Sequence, residues 1–158
     1  MRQEKDQGFH SEIGVKGLCH LQLHDENGKI KEERIIHNTV TELMDVQVAD
    51  ALAGGADGTI DYMAVGTGAG QTSASTGLAT TLDRNALTST TQGAGVADND
   101  VVYVGTWAAG DGTGSITEAG LMRDNDDASL MLYADFAVVT KAAGDTLTIT
   151  WTATFGAS

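Results

Sequence analysis

From Thr146 to Phe155 the chain alternates without a break. Leu147, Ile149, Trp151, Ala153 and Phe155 fall on one side, and Thr146, Thr148, Thr150, Thr152 and Thr154 on the other. Successive side chains of a strand point to opposite faces, so this pattern predicts a half-buried β-strand with an apolar face and a hydroxyl face. A helix would scatter the five apolar residues around its circumference, and β-branched Thr suits a pleated, wetted surface. A chain ending in such a strand needs a sheet with one face on a core and the other in water.

The rest of the composition agrees. At 158 residues with 41% hydrophobic content, the chain is long enough to bury a core as one domain, and too apolar for wholesale disorder. It has 20 Gly and no Pro, so its turns fall to Gly, Asn and Asp. Net charge is −13, which argues against nucleic acid or an anionic membrane as a partner, since both call for a basic footprint. One cysteine, Cys19, excludes an internal disulfide and a Cys-based zinc site; its alternation with Leu21 and Leu23 predicts a small core residue. No apolar run approaches the roughly 20 residues that span a bilayer. The opening MRQEKDQGFHSEIG lacks the apolar segment of a secretory signal, which implies synthesis and retention in the cytosol.

Taken in order, residues 1–14 are polar and without period and read as a flexible N-terminal arm, leaving 15–158 as a single domain. Gly17 to His24 and Lys29 to Ile36 form a hairpin around Asp25-Glu26-Asn27-Gly28. Thr39 and Glu42 fit a capping box, and Val40, Leu43, Met44, Val48 and Leu52 recur at helical spacing before Gly54-Gly55. The segment 39–53 therefore predicts one amphipathic helix lying on a sheet. Strands are predicted at Ile60–Val65, Leu87–Thr91 and Val101–Trp107. Ile116–Arg123 and Ser129–Val139 pair across Asp124–Ala128, and 71–81 reads as a surface loop. The fold class is mainly β: an antiparallel sandwich or barrel-like domain of about seven to nine strands.

Motifs of chemistry are sparse. Gly66-Thr67-Gly68-Ala69-Gly70 lacks the third Gly and the helix of a dinucleotide site, because position 71 is Gln71, and it reads as a tight turn. Asp124-Asn125-Asp126-Asp127 departs from a calcium loop at Ser129 and Asp135, the sixth and twelfth positions, and reads as a hairpin turn. His20 and His24 share a strand face without completing a four-ligand zinc set. Glu118 sits within an apolar strand and predicts a carboxylate accepting bonds from backbone or from Arg84 or Arg123. No nucleophile elbow, zinc helix or placed carboxylate pair occurs, so no enzyme, cofactor or metal is expected.

Several short motifs stand in a recognisable order: Gly28-Lys29-Ile30, His37-Asn38-Thr39-Val40, Met63-Ala64-Val65-Gly66-Thr67-Gly68, Leu82-Asp83-Arg84, Ile116-Thr117-Glu118-Ala119-Gly120-Leu121, Phe136, Lys141, and Asp145 through Trp151. Over residues 16–155 this order resembles small structural proteins encoded by tailed bacteriophages, with Met122 standing where that pattern leads one to expect an aromatic. The resemblance implies a virion part. One form is a capsid decoration (cement) protein on the outer capsid surface. It would be made in the host cytoplasm and would assemble as a homo-oligomer, a trimer above all, clamping major capsid protein subunits. The alternative is a tail-tip or fibre-associated module touching a receptor through loops 69–81, 93–100 and 108–115. For the decoration reading, the arm residues Phe9 and Ile13 and an apolar strip through Met131 and Tyr133 are the expected partner contacts.

Overall fold

The chain turns first at Asp25–Lys29, where the Asp25 carboxylate accepts the amides of Asn27 and Lys29 (both 2.9 Å) and Gly28 takes φ 80°. This turn joins β1 (Ile13–His24) to β2 (Ile30–His37). The structure, a computed structural model, describes residues 13–56, 58–93 and 98–157. After β2 follow β3 (Thr39–Val40), α1 (Glu42–Leu52), β4 (Tyr62–Gly66), β5 (Thr81–Ala86) and β6 (Ser89–Gln92). The chain closes with β7 (Asp100–Trp107), β8 (Gly114–Met122), β9 (Leu130–Lys141) and β10 (Thr146–Ala157).

Among the described residues these ten strands form two five-stranded antiparallel sheets, ordered β2-β1-β10-β7-β6 and β3-β9-β8-β4-β5. Face-to-face packing of two such sheets is a sandwich, as the alternation of β10 predicts. Cys19, Leu21 and Leu23 of β1 meet Trp151, Ile149 and Leu147 of β10 across the first sheet, and all six are wholly buried. The core is completed from the second sheet by Met63, Val65, Ala119, Leu121 and Leu132. Burial among these groups pushes the Cys19 thiol up to about 12.

The β5–β6 stretch passes from one sheet to the other. Its corner is fixed by the Leu87 amide on the Asp61 carbonyl (2.9 Å), the Thr88 amide on Val104 (2.7 Å) and the Asn85 carboxamide on Thr106 (3.0 Å). The predicted strand at 87–91 thus splits: β5 precedes it, Leu87–Thr88 bends, and only 89–92 pairs with β7.

The helix begins later than the capping box predicts. Thr39 and Val40 are drawn into pairing with Tyr133 and Leu132 of β9, so tertiary pairing displaces the local signal. Thr41 becomes the N-cap and makes no side-chain cap; its hydroxyl donates instead to the Leu130 and Met131 carbonyls (2.6 and 3.0 Å). The free amide of Glu42 is satisfied by the Ser73 carbonyl at 2.8 Å. Met44, Leu43 and Val48 face the core as the spacing predicts, whereas Leu52 is 81% exposed and Gln47 is buried. Gly54, at φ 81°, ends the helix.

Candidate functional site

The ionisable groups that the fold withdraws from water come first, because chemistry would start there. Glu118 lies on the outward face of β8 yet is fully buried, since residues 67–80 fold over it. Its carboxylate accepts the amides of Gly68 (3.0 Å), Ala79 (3.1 Å) and Thr80 (2.8 Å) and the Tyr133 hydroxyl (3.1 Å). Three of these four bonds are to backbone, as expected, but the fourth comes from Tyr133, and neither Arg84 nor Arg123 supplies one of them. Arg84 instead binds Asp127 and Asn125, and Arg123 binds Asp124 at 2.7 Å.

The Gly66-Thr67-Gly68 turn owes its sequence to this carboxylate. A Cβ at Gly66 would overlap the Thr80 carbonyl and Glu118 Oε1, and one at Gly68 would crowd Glu118 Oε1 and Ala79. The Thr117 hydroxyl donates to the Gly68 carbonyl (2.7 Å), and Leu78 packs beside Tyr133, Met122 and Leu130. The loop at 67–80 is therefore a cover, held by a saturated carboxylate. Burial and the neighbouring Glu118 charge raise the Tyr133 hydroxyl well above its ordinary value, so it stays a donor.

A second buried set lies near the start of β10. Lys141, 1% exposed, donates to the Ala108 carbonyl at 2.9 Å, and burial lowers its ammonium below the usual lysine range. Asp145 accepts Lys31 Nζ (2.7 Å) and the Ala142 amide (2.8 Å), and these bonds hold its carboxyl below the ordinary 3.8. These charges brace the turn between β9 and β10. Asp124–Ala128 is likewise a turn whose acids hold Arg84, Arg123 and backbone amides. Among the described residues no group of three or more His, Cys, Asp or Glu is placed to hold a metal ion. His20 pairs with Glu33 at 2.5 Å, which lowers the Glu33 carboxyl.

Acid sensitivity follows from these depressed carboxyls. A carboxyl whose folded pKa lies below its unfolded value adds stability above the unfolded value and loses it as pH falls through the folded one. Melting temperature should therefore hold from neutrality to about pH 4 and then drop as Asp145, Glu33 and Asp126 protonate. Differential scanning calorimetry across that range checks this, and Asp145→Asn should flatten the acid limb.

The outer face of the first sheet is one surface left open to a partner. Cross-strand register builds it in rows. One row runs His37, Leu18, Thr152, Val102, Thr91, and the next runs Ile35, His20, Thr150, Val104, Ser89. Neither row contains an acid, a lysine or an arginine, although the chain carries 22 acidic and nine basic residues. Leu18 is 39% and Ile35 is 64% exposed. The nearest charges flank the rows: Glu33, bonded to His20 and Gln22, on one side, and Lys16 with the buried Asp100 on the other.

The expected contact strip at Met131 and Tyr133 is corrected by burial. Met131 is 1% and Tyr133 2% exposed within the single chain. The register shift between Leu121 and Met122 turns Met131 into the inter-sheet core, while Tyr133 points the other way, beneath the 67–80 cover. The two do not share a face. Phe9 lies outside the described residues, and Ile13 opens β1 opposite Ala157 rather than belonging to an arm that ends at 14. The uncharged rows escaped the sequence reading because five strands contribute to them, although the Thr column of β10 marks their centre.

No family model, curated protein or solved structure matches the chain.

Proposed function

We propose that the chain is a virion structural protein that decorates the outer capsid surface of a tailed bacteriophage. It binds the major capsid protein as a homo-oligomer, with a trimer as the favoured form. The observation that carries the reading is the pair of rows without acids, lysines or arginines on the outer face of the β2-β1-β10-β7-β6 sheet. An acidic chain that keeps the central rows of one sheet face free of acids, lysines and arginines can lay those rows on a protein surface with few ions to desolvate. The withdrawn charges support the same reading: Glu118, Lys141 and Asp145 are spent on bracing loops. A rigid clamp needs such bracing and no chemistry of its own. The tail-tip alternative loses much of one proposed receptor loop, because residues 67–80 are bonded down onto β8 and β9.

Purified protein added to particles that lack it should give density repeating over the capsid lattice by cryo-electron microscopy. The variant Leu18→Glu with Thr91→Glu, two exposed positions of one row separated by Thr152 and Val102, should leave the fold within about 1 kcal/mol of the parent, as exposed strand positions do, and should fail to bind. Density confined to the tail, or undiminished binding of the variant, sinks the proposal.

A further inference from the structure

At one end of the sandwich the helix α1 stands off the first sheet and leaves an apolar groove of about 280 Å³. Met44, Val48 and Leu52 form its helical wall, and Val101, Tyr103 and Phe155 its sheet wall. Tyr103 is buried enough that its hydroxyl is pushed up to about 12, and Leu52 at the rim is 81% exposed. An apolar cleft of this kind, with a large side chain standing open at its lip, is a seat for an apolar group.

We propose that this groove is filled by the segment 1–12 of the same chain, with Phe9 as the side chain that enters it. Reach supports this occupant. Ile13 pairs with Ala157 and Val15 with Phe155, so β1 begins beside the strand end that forms the groove wall. From strand spacing and rise, Ile13 stands about 8 Å from Phe155. The four residues from Phe9 to Ile13 span up to about 14 Å when extended. Phe9 is the sole aromatic of the segment MRQEKDQGFHSE. A Phe in the groove would cover the exposed flank of Leu52. This inference stands whether or not the chain decorates a capsid, because it concerns the isolated protein.

The test uses the full chain with methyl-labelled Met and Leu. Nuclear Overhauser contacts are expected from the Phe9 ring to the Met44 and Leu52 methyl groups. Phe9→Ala should abolish them and shift both methyl resonances. Trypsin cleavage after Lys5 should quicken about tenfold or more in that variant, the factor expected when a seated Phe is removed. Leu52→Asp, at an exposed position that leaves the core intact, should quicken cleavage similarly. Absence of Phe9 contacts with unchanged cleavage overturns the proposal. Contacts seen only between differently labelled chains in a mixed sample overturn it too, and assign the groove to a second copy.

Discussion

Replacing Glu118 with Ala is expected to destabilise the protein by about 4 kcal/mol, since three amides and one hydroxyl lose their acceptor inside the fold. A buried donor left unmade costs roughly 1–3 kcal/mol, and water entering beneath the loosened cover recovers part of the sum. For a chain of this length the change should lower the melting temperature by roughly 8–16 °C. The loss should be local before it is global: amide exchange at Gly68, Ala79 and Thr80 should accelerate most. Glu118→Gln should cost less, because its carbonyl oxygen still accepts two bonds while its NH₂ faces donors. Thermal melts and hydrogen exchange read both. Equal stability of parent and Glu118→Ala would mean that the cover is held by Leu78 packing alone.

Trp151→Ala should cost a similar amount, about 4 kcal/mol, by emptying a fully buried indole site at the centre of the core. The residue has a second role. Its indole N–H donates to Asn38 Oδ1 at 3.1 Å, and the Asn38 side chain lies against the backbone of Gly17, where any Cβ would overlap it. Trp151→Phe keeps most of the apolar volume and removes that donor, so it should cost about half as much. Gly17→Ala should resemble Trp151→Phe, because the added methyl expels Asn38 from the same bond. Chemical denaturation separates these cases. A Gly17→Ala chain as stable as the parent would break the link between the three residues.

How much of this was legible in the sequence depended on which faces meet water. The alternation of Thr146–Phe155 and of Cys19, Leu21 and Leu23 was readable because the first sheet has one wet face. In β9, Leu130 to Ala134 are all buried, with a bulge in the register, so period two carries no facing information there. Met131 and Tyr133 were misplaced for that reason. The helix start moved because Thr39 and Val40 are needed by Tyr133 and Leu132 of β9, a distant demand that no local motif records. Glu118 was visible as an odd carboxylate in an apolar strand, and its backbone partners were foreseen in kind. That residues 67–80 supply them was not, since loop docking leaves no periodic trace.

The strand order of the first sheet also dictates a timetable. β10, the last strand in the sequence, lies between β1 and β7 and joins them. Until it arrives, β1 has only its hairpin partner and β7 only the short β6. The second sheet draws all its strands from residues 39–141, so its own pairing does not wait on β10. Closure of the first sheet then waits on a pairing between residues more than a hundred positions apart, the kind of long-range contact that slows folding. In that interval the apolar faces of β1 and β7 stand open to solvent, and any chaperone that attends this chain would meet them there.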